Sequence, residues 1–259
     1  MFRNYVWGKQ TALQLGAENH RSIDWIRRQL DKAEPKGFHL FPQPVVAIVD
    51  VIFFGREYGV LVFRSYDLKQ NLYWTEVKSE TAAIYQEAKQ ILEELGFTFD
   101  AVVIDGRPGV RAVFKGIPIQ ICQFHQIKTV NKYLTRRPKL QAAIELRTIA
   151  LALTEVNEEY FTILLNQWHE KWKEFLKERT VNPETDKWFY THKRIRSAYR
   201  SLKTNLPYLF TYQKYPHLNI PNTTNSLDGS FSYLRTLLNI HRGLKQERRW
   251  KLIQEILAK

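Results

Sequence analysis

The chain has 259 residues, 44% of them hydrophobic and 14% aromatic, enough to bury a sizeable core in one large domain, so wholesale disorder is excluded. One cysteine rules out a disulfide framework or a zinc cluster built of cysteines, and no membrane-length apolar run or signal-peptide pattern follows Met1, so a cytoplasmic protein with no membrane partner is expected. Lys and Arg number 39 against 26 acids, and the net charge of +13 with a pI ≈ 9.7 points to a polyanion, most simply nucleic acid.

Residues 1–36 form a first unit. Thr11 is placed to cap a short helix that Gly16 ends, and Ser22 to cap a second with Trp25, Ile26 and Leu30 on one face. Two short helices about a tight turn predict a helix-turn-helix-like segment that offers Arg21, Arg27 and Arg28 to phosphates. A plain helical hairpin docked on the main domain is the alternative. The stretch 32–37, with Pro35, reads as a boundary.

Over residues 37–128 the periodicity changes. VVAIVDVIFF, GVLVFRS and LYWTEV are three strands joined by short turns. Ser79 is placed to cap a long amphipathic helix that stops at Gly96. AVVID reads as a strand, GVRAVFKG as a short helix and IPIQICQF as a further strand. The order βββαβαβ predicts an α/β fold with a mixed sheet. Residues 129–215 read as an all-helical block, with helices over 138–153, 157–179 and 183–205, the last opened by Asn182 as N-cap and Pro183 in the first turn. Residues 216–259 close the fold with a polar loop, the amphipathic helix SLDGSFSYLRTLLNIHRGL and a basic helix over 245–259.

The charge is unevenly spread: +3 over residues 1–36, −2 over 37–125 and +12 over 126–259. A mildly acidic middle beside a basic half suits a carboxylate site next to a DNA-holding surface, although a basic face that simply stays solvated reads the same way. Two acids stand apart from the solvated helical ones. Asp50 interrupts an apolar strand, where a carboxylate is costly unless paired or bound to a cation. Asp105 ends a strand just before Gly106, where sites gather in α/β folds but where, taken alone, Asp-Gly turn chemistry is the simpler reading. In a βββαβ arrangement the first and fourth strands lie side by side, so the two carboxylates are expected to be neighbours that share divalent ions. Two Mg²⁺ (or Mn²⁺) ions about 3.5–4 Å apart would clamp an in-line phosphoryl displacement.

VVIDG, then CQFHQIK, then an all-helical block, then PNTTNSLDGSFSYLRTLLNIHRGL together resemble the Mutator-like DDE transposases of bacterial insertion sequences, from about Gln43 onward. The resemblance implies an RNase H-like fold interrupted by a helical insertion, with Asp50 and Asp105 as the first two metal-binding catalytic acids. The third, usually Glu, falls on Asp228, within Asn225–Gly229; it is one methylene shorter but keeps the hard oxygen ligand. Glu170, Glu174 and Glu178 compete for that role, though their spacing reads as an exposed face. Cys122 and His125 have metal-ligand spacing but are two ligands only, and the resemblance gives them, with Asn225, a supporting role beside the site. The activity it implies is that of a DNA transposase acting on double-stranded DNA, which cuts at the ends of its mobile element and joins the 3′-OH to target DNA, as a dimer or higher oligomer. An RNase H-like nuclease that cuts without joining, and a catalytically impaired DNA-binding derivative, are the alternatives. Arg27, Arg28, Arg136, Arg137, Arg194, Arg196, Arg200, Arg242, Arg248 and Arg249 are the expected phosphate contacts.

Overall fold

A computed structural model describes residues 1–35, 40–56, 58–241 and 243–258. The boundary expected at 32–37 is therefore described only as far as Pro35, and Arg242 lies outside the described residues.

Three short helices, not two, open the chain: α1 (Phe2–Val6), α2 (Ala12–Glu18) and α3 (Ile23–Lys32). The caps of α2 and α3 are those the sequence suggests, whereas the later helix over Ala82–Glu94 is preceded by Thr81 rather than capped by Ser79, and Thr81 makes no side-chain capping bond. Thr11 and Gln14 form a reciprocal capping box, and the Ser22 hydroxyl accepts from the Trp25 amide. Gly16 does not end α2. It lies inside the helix, where a Cβ would come within 2.9 Å of the Arg21 carbonyl, so the missing side chain lets the α2–α3 connection pass close by. Tyr5, Val6, Leu15, Ile26 and Leu30 join the main core, so these helices are docked on the sheet domain rather than held apart from it.

β1 (Pro44–Phe53), β2 (Gly59–Ser65) and β3 (Asn71–Val77) make an antiparallel meander, followed by α4 (Ala82–Glu94), β4 (Thr98–Ile104), α5 (Pro108–Val113) and β5 (Ile119–Ile121). The five strands lie in the order β3-β2-β1-β4-β5, with β1 parallel to β4 and β4 parallel to β5. The fold is thus mixed α/β, with β1 at the centre of the sheet. Side chains alternate across that central strand. Val45, Ala47 and Val49 face Tyr85, Ala88 and Leu92 of α4, whereas Val46, Ile48 and Ile52 face the opposite layer. Asp50 shares the parity of the second set.

The strand expected over 117–124 is only three residues long. Cys122 ends it, and α6 (Gln123–Leu134) begins at once, burying Gln126, Val130 and Leu134 at a spacing of four. α7 (Gln141–Leu151) and α8 (Glu158–Trp172) follow. The block is not entirely helical: β6 (Arg179–Val181) and β7 (Trp188–Tyr190) form a hairpin before α9 (Lys193–Leu209). The Asn182 side chain accepts from the Glu184 amide two residues on, which makes Asn182-Pro183 a turn rather than a helix start. The short α10 (Thr211–Lys214) leads to α11 (Asn225–Ile240) and α12 (Gln246–Leu257). Residues 130–210 hold a core of their own around Leu146, Phe161, Trp168 and Leu202. In contrast, Leu227, Phe231, Leu234 and Leu237 of α11 and Leu252 and Ile253 of α12 cover the Val46–Ile48–Ile52 face of the sheet together with α1–α3.

Candidate metal centre

The alternation of β1 decides where Asp50 points. With Ile48 and Ile52 packed under α11, the intervening Asp50 projects toward the same helix. Its Oδ1 accepts from the Val51 amide at 2.8 Å. Burial pushes the Asp50 carboxyl up to about 7, reinforced by Asp105, Asp228 and Glu80 and only partly offset by the Val51 hydrogen bond. A half-buried carboxylate beside three others is a place where a cation is favoured.

Asp228 sits in the first turn of α11, and Leu227 and Phe231 anchor that turn in the core. The helix start is latched to the start of α6. The Gln123 amide donates to the Asn222 carbonyl at 2.9 Å, the Asn222 side chain donates to Gln123 Oε1 at 2.9 Å, and the Thr224 amide donates to Cys122 Sγ at 3.3 Å. Buried Thr224 is the hub. Its hydroxyl lies 3.4 Å from Asp228 Oδ2 and 3.5 Å from both His125 Nδ1 and Cys122 Sγ. Each contact is long, but together they fix the direction from which Asp228 and His125 approach Asp50. Cys122 thus holds the backbone and is not a ligand; its thiol is pushed up by burial and stays protonated.

Asp50, His125 and Asp228 converge, each offering one ligand atom, all within 4.8 Å of one another. His125 is held below its ordinary value by burial and by Lys128, against the opposing pull of Asp228 and Asp105, so it presents a neutral imidazole near pH 7. Two carboxylate oxygens and a neutral imidazole fit a divalent ion. The oxygens suit Mg²⁺ or Mn²⁺, and the nitrogen tilts the set toward Mn²⁺.

Asp105 is placed differently. It is the first residue after β4, two beyond Val103, just as Asp50 is two beyond Val103's partner Ile48, so the two acids stand on neighbouring strands as the sequence suggests. Gly106 then takes φ +95° with Ile121 packed against it, and the turn brings the Arg107 amide 3.0 Å and the Arg107 Nε 3.3 Å from the Asp105 carboxylate. Arg107 also reaches Glu80 at 2.7 Å, and the Tyr85 hydroxyl donates to that same buried Glu80 at 2.6 Å. Asp105 is therefore engaged by an arginine and does not join the three converging groups, although it still bears on Asp50 through its charge. The sequence reading missed Thr224, Asn222, Glu80 and Arg107. Only the first two had a signal, in the PNTTN stretch. Asn225 is exposed at the start of α11. Glu170 and Glu174 are exposed, bonded to Lys173 and Lys177, and Glu178 is exposed and pairs with His192.

The expected phosphate contacts divide. Arg27, Arg28, Arg136, Arg137, Arg194 and Arg200 are exposed. Arg194 also donates to the Lys132 carbonyl, and Arg249 lies over the Tyr58 ring at 5.2 Å. Arg196 is half-buried over Tyr190 at 3.6 Å and donates to the Leu176 carbonyl. Arg248 is a correction: only 8% exposed, it grips Asp31 of α3 through two 2.7 Å hydrogen bonds and ties α12 to the amino-terminal helices. No helix among the described residues is long and apolar enough to cross a membrane. No protein-family model matches the chain, and no curated protein matches it.

Proposed function

We propose that the protein is a DNA transposase, a metal-dependent polynucleotidyl transferase with an RNase H-like sheet, related to the Mutator-like DDE transposases. The observation that carries the reading is the convergence of Asp50 from the central strand with Asp228 from α11 across His125, over 178 residues of sequence. The strand order β3-β2-β1-β4-β5 and the +12 charge of residues 126–259 support it. Asp50, Asp228 and His125 would hold a Mg²⁺ or Mn²⁺ ion. Such an ion supplies charge neutralisation at the phosphate and lowers the pKa of an attacking water or 3′-hydroxyl. A second ion would need Asp105 to leave Arg107.

The chain's own groups do the positioning. Asp50 gives up its proton on loading, because its carboxyl titrates near neutrality. Thr224 and the α6–α11 latch aim Asp228 and His125 at the same point. Arg107, paired with Asp105 and Glu80, would be free to neutralise a phosphate on releasing Asp105. The same site serves twice, first for water attacking at the element's end, then for the freed 3′-OH attacking a target phosphate.

The test is to incubate the full chain with Mg²⁺ or Mn²⁺ and duplexes taken from the flanks of its own coding sequence. Nicks ending in 3′-OH and joined products are expected, with both lost in Asp228→Ala. Cleavage without joining would make it a nuclease, and DNA binding with neither product an impaired derivative.

A further inference from the structure

We propose that the helical insertion holds a second phosphate-binding site, a basic cleft between α9 and the residues at the end of α8, with Tyr190 of the β6–β7 hairpin at its side, that seats the backbone of duplex DNA; this rests on the DNA-processing reading above. The cleft has a volume of ≈ 550 Å³. Five cations line it, Lys173, Lys177, Arg196, Arg200 and Lys203, and no Asp or Glu does. Its walls include Tyr190 and Tyr199.

The cations have distinct states. Lys173 and Lys177 are tied back by Glu170 and Glu174 at the rim, at 2.6 and 2.7 Å. Arg196 is fixed over Tyr190, its guanidinium 3.6 Å from the ring, and shapes the wall. Arg200 and Lys203 are exposed and form no ion pair among the described residues. Arg196, Arg200 and Lys203 fall at i, i+4 and i+7 of α9, so they stand on one face of the helix. With Lys173 and Lys177 already paired, Arg200 and Lys203 are the cations left to raise the local concentration of an anion in the cleft.

The occupant is a polymer backbone rather than a single small anion, because the cations are spread along the helix. From Arg196 to Lys203 α9 rises ~10 Å, which a DNA strand covers in about three nucleotides. A strand lying along this face of α9 therefore presents successive phosphates to Arg200 and Lys203. The hairpin, not foreseen from the sequence, adds Tyr190 to one side of the cleft.

The experiment is a duplex-binding titration of the full chain over a range of salt, comparing wild type with Arg200→Ala/Lys203→Ala, with Lys203→Arg, and with Lys139→Ala at an exposed position outside the cleft. Both target side chains are exposed, so folding should survive, and thermal melts verify it. Loss of two phosphate contacts should flatten the salt slope by about 1.8, at about 0.9 per contact, while Lys203→Arg keeps it. A double variant that keeps the wild-type slope and affinity overturns the cleft while leaving the transposase reading intact. A wild-type chain with no salt-dependent DNA binding overturns both.

Discussion

Asp50→Asn in the metal-free protein should be stabilising above neutrality. Asn keeps the shape of Asp and can still accept the Val51 amide hydrogen bond, so the change removes little but the charge. Asp50 rises from an ordinary 3.8 to about 7 in the fold, chiefly through burial and then through Asp105, Asp228 and Glu80. Because the folded value is the higher one, the protonated group's contribution is fully present below 3.8 and is lost as the pH climbs through about 7. The interval is about three pH units, or about 4 kcal/mol. In a chain of this size that is a Tm difference on the order of 10 °C. The assay is thermal melting of wild type and Asp50→Asn in chelator between pH 4 and pH 8.5. The two should melt together at the acid end and diverge as the pH rises, with the variant the more stable; Mn²⁺ should raise the wild type alone. A gap that stays constant with pH, or a variant less stable at pH 8, would refute the placement of Asp50 beside the like charges of Asp105, Asp228 and Glu80.

Two further outcomes are expected from the packing. His125→Ala should weaken Mn²⁺ binding by about tenfold or more in isothermal titration, while leaving the release of about one proton on loading near pH 6.5, since that proton belongs to Asp50; unchanged affinity would remove His125 from the ligand set. Arg248→Ala should lower stability by about 2 kcal/mol in urea, less than a fully buried pair because Asp31 is half-exposed, and should leave the salt slope of DNA binding untouched. A flatter slope would return Arg248 to the phosphate contacts.

Much of this was legible in the sequence because it is local. The alternation of VVAIVDVIFF places Asp50 on a definite side of the strand, and the meander followed by a helix and a strand puts β4 beside β1. Thr11 and Ser22 announce their helices through capping chemistry that needs only three residues. What failed is what depends on remote partners or on competing local chemistry. The strand pattern of IPIQICQF runs on past residue 121, but only three residues find a pairing partner on β4, and the latch to Asn222 and Thr224 turns the rest into α6. Asn182-Pro183 satisfies the rules for a helix start and for a turn alike, and the aromatic strand Trp188–Tyr190 decides between them. Arg248 looks like one more solvated cation until Asp31, more than 200 residues away, closes on it. Asp105 lies on the strand expected for it, yet Arg107, two residues on, competes for its carboxylate and leaves the third converging position to His125.

The three converging groups are far apart along the chain: 75 residues separate Asp50 from His125, and 103 separate His125 from Asp228. In an unfolded chain, bringing each pair together forfeits about 4 kcal/mol of chain entropy before any bond to an ion forms. Isolated aspartates and a lone histidine scattered along a random coil therefore offer a divalent ion almost nothing. The fold carries that entropic burden through the packing of α11 on the sheet, so the whole affinity for an ion belongs to the native state. An ion held there acts as a clasp between segments that would otherwise be strangers, and its binding free energy passes undiluted into resistance to unfolding.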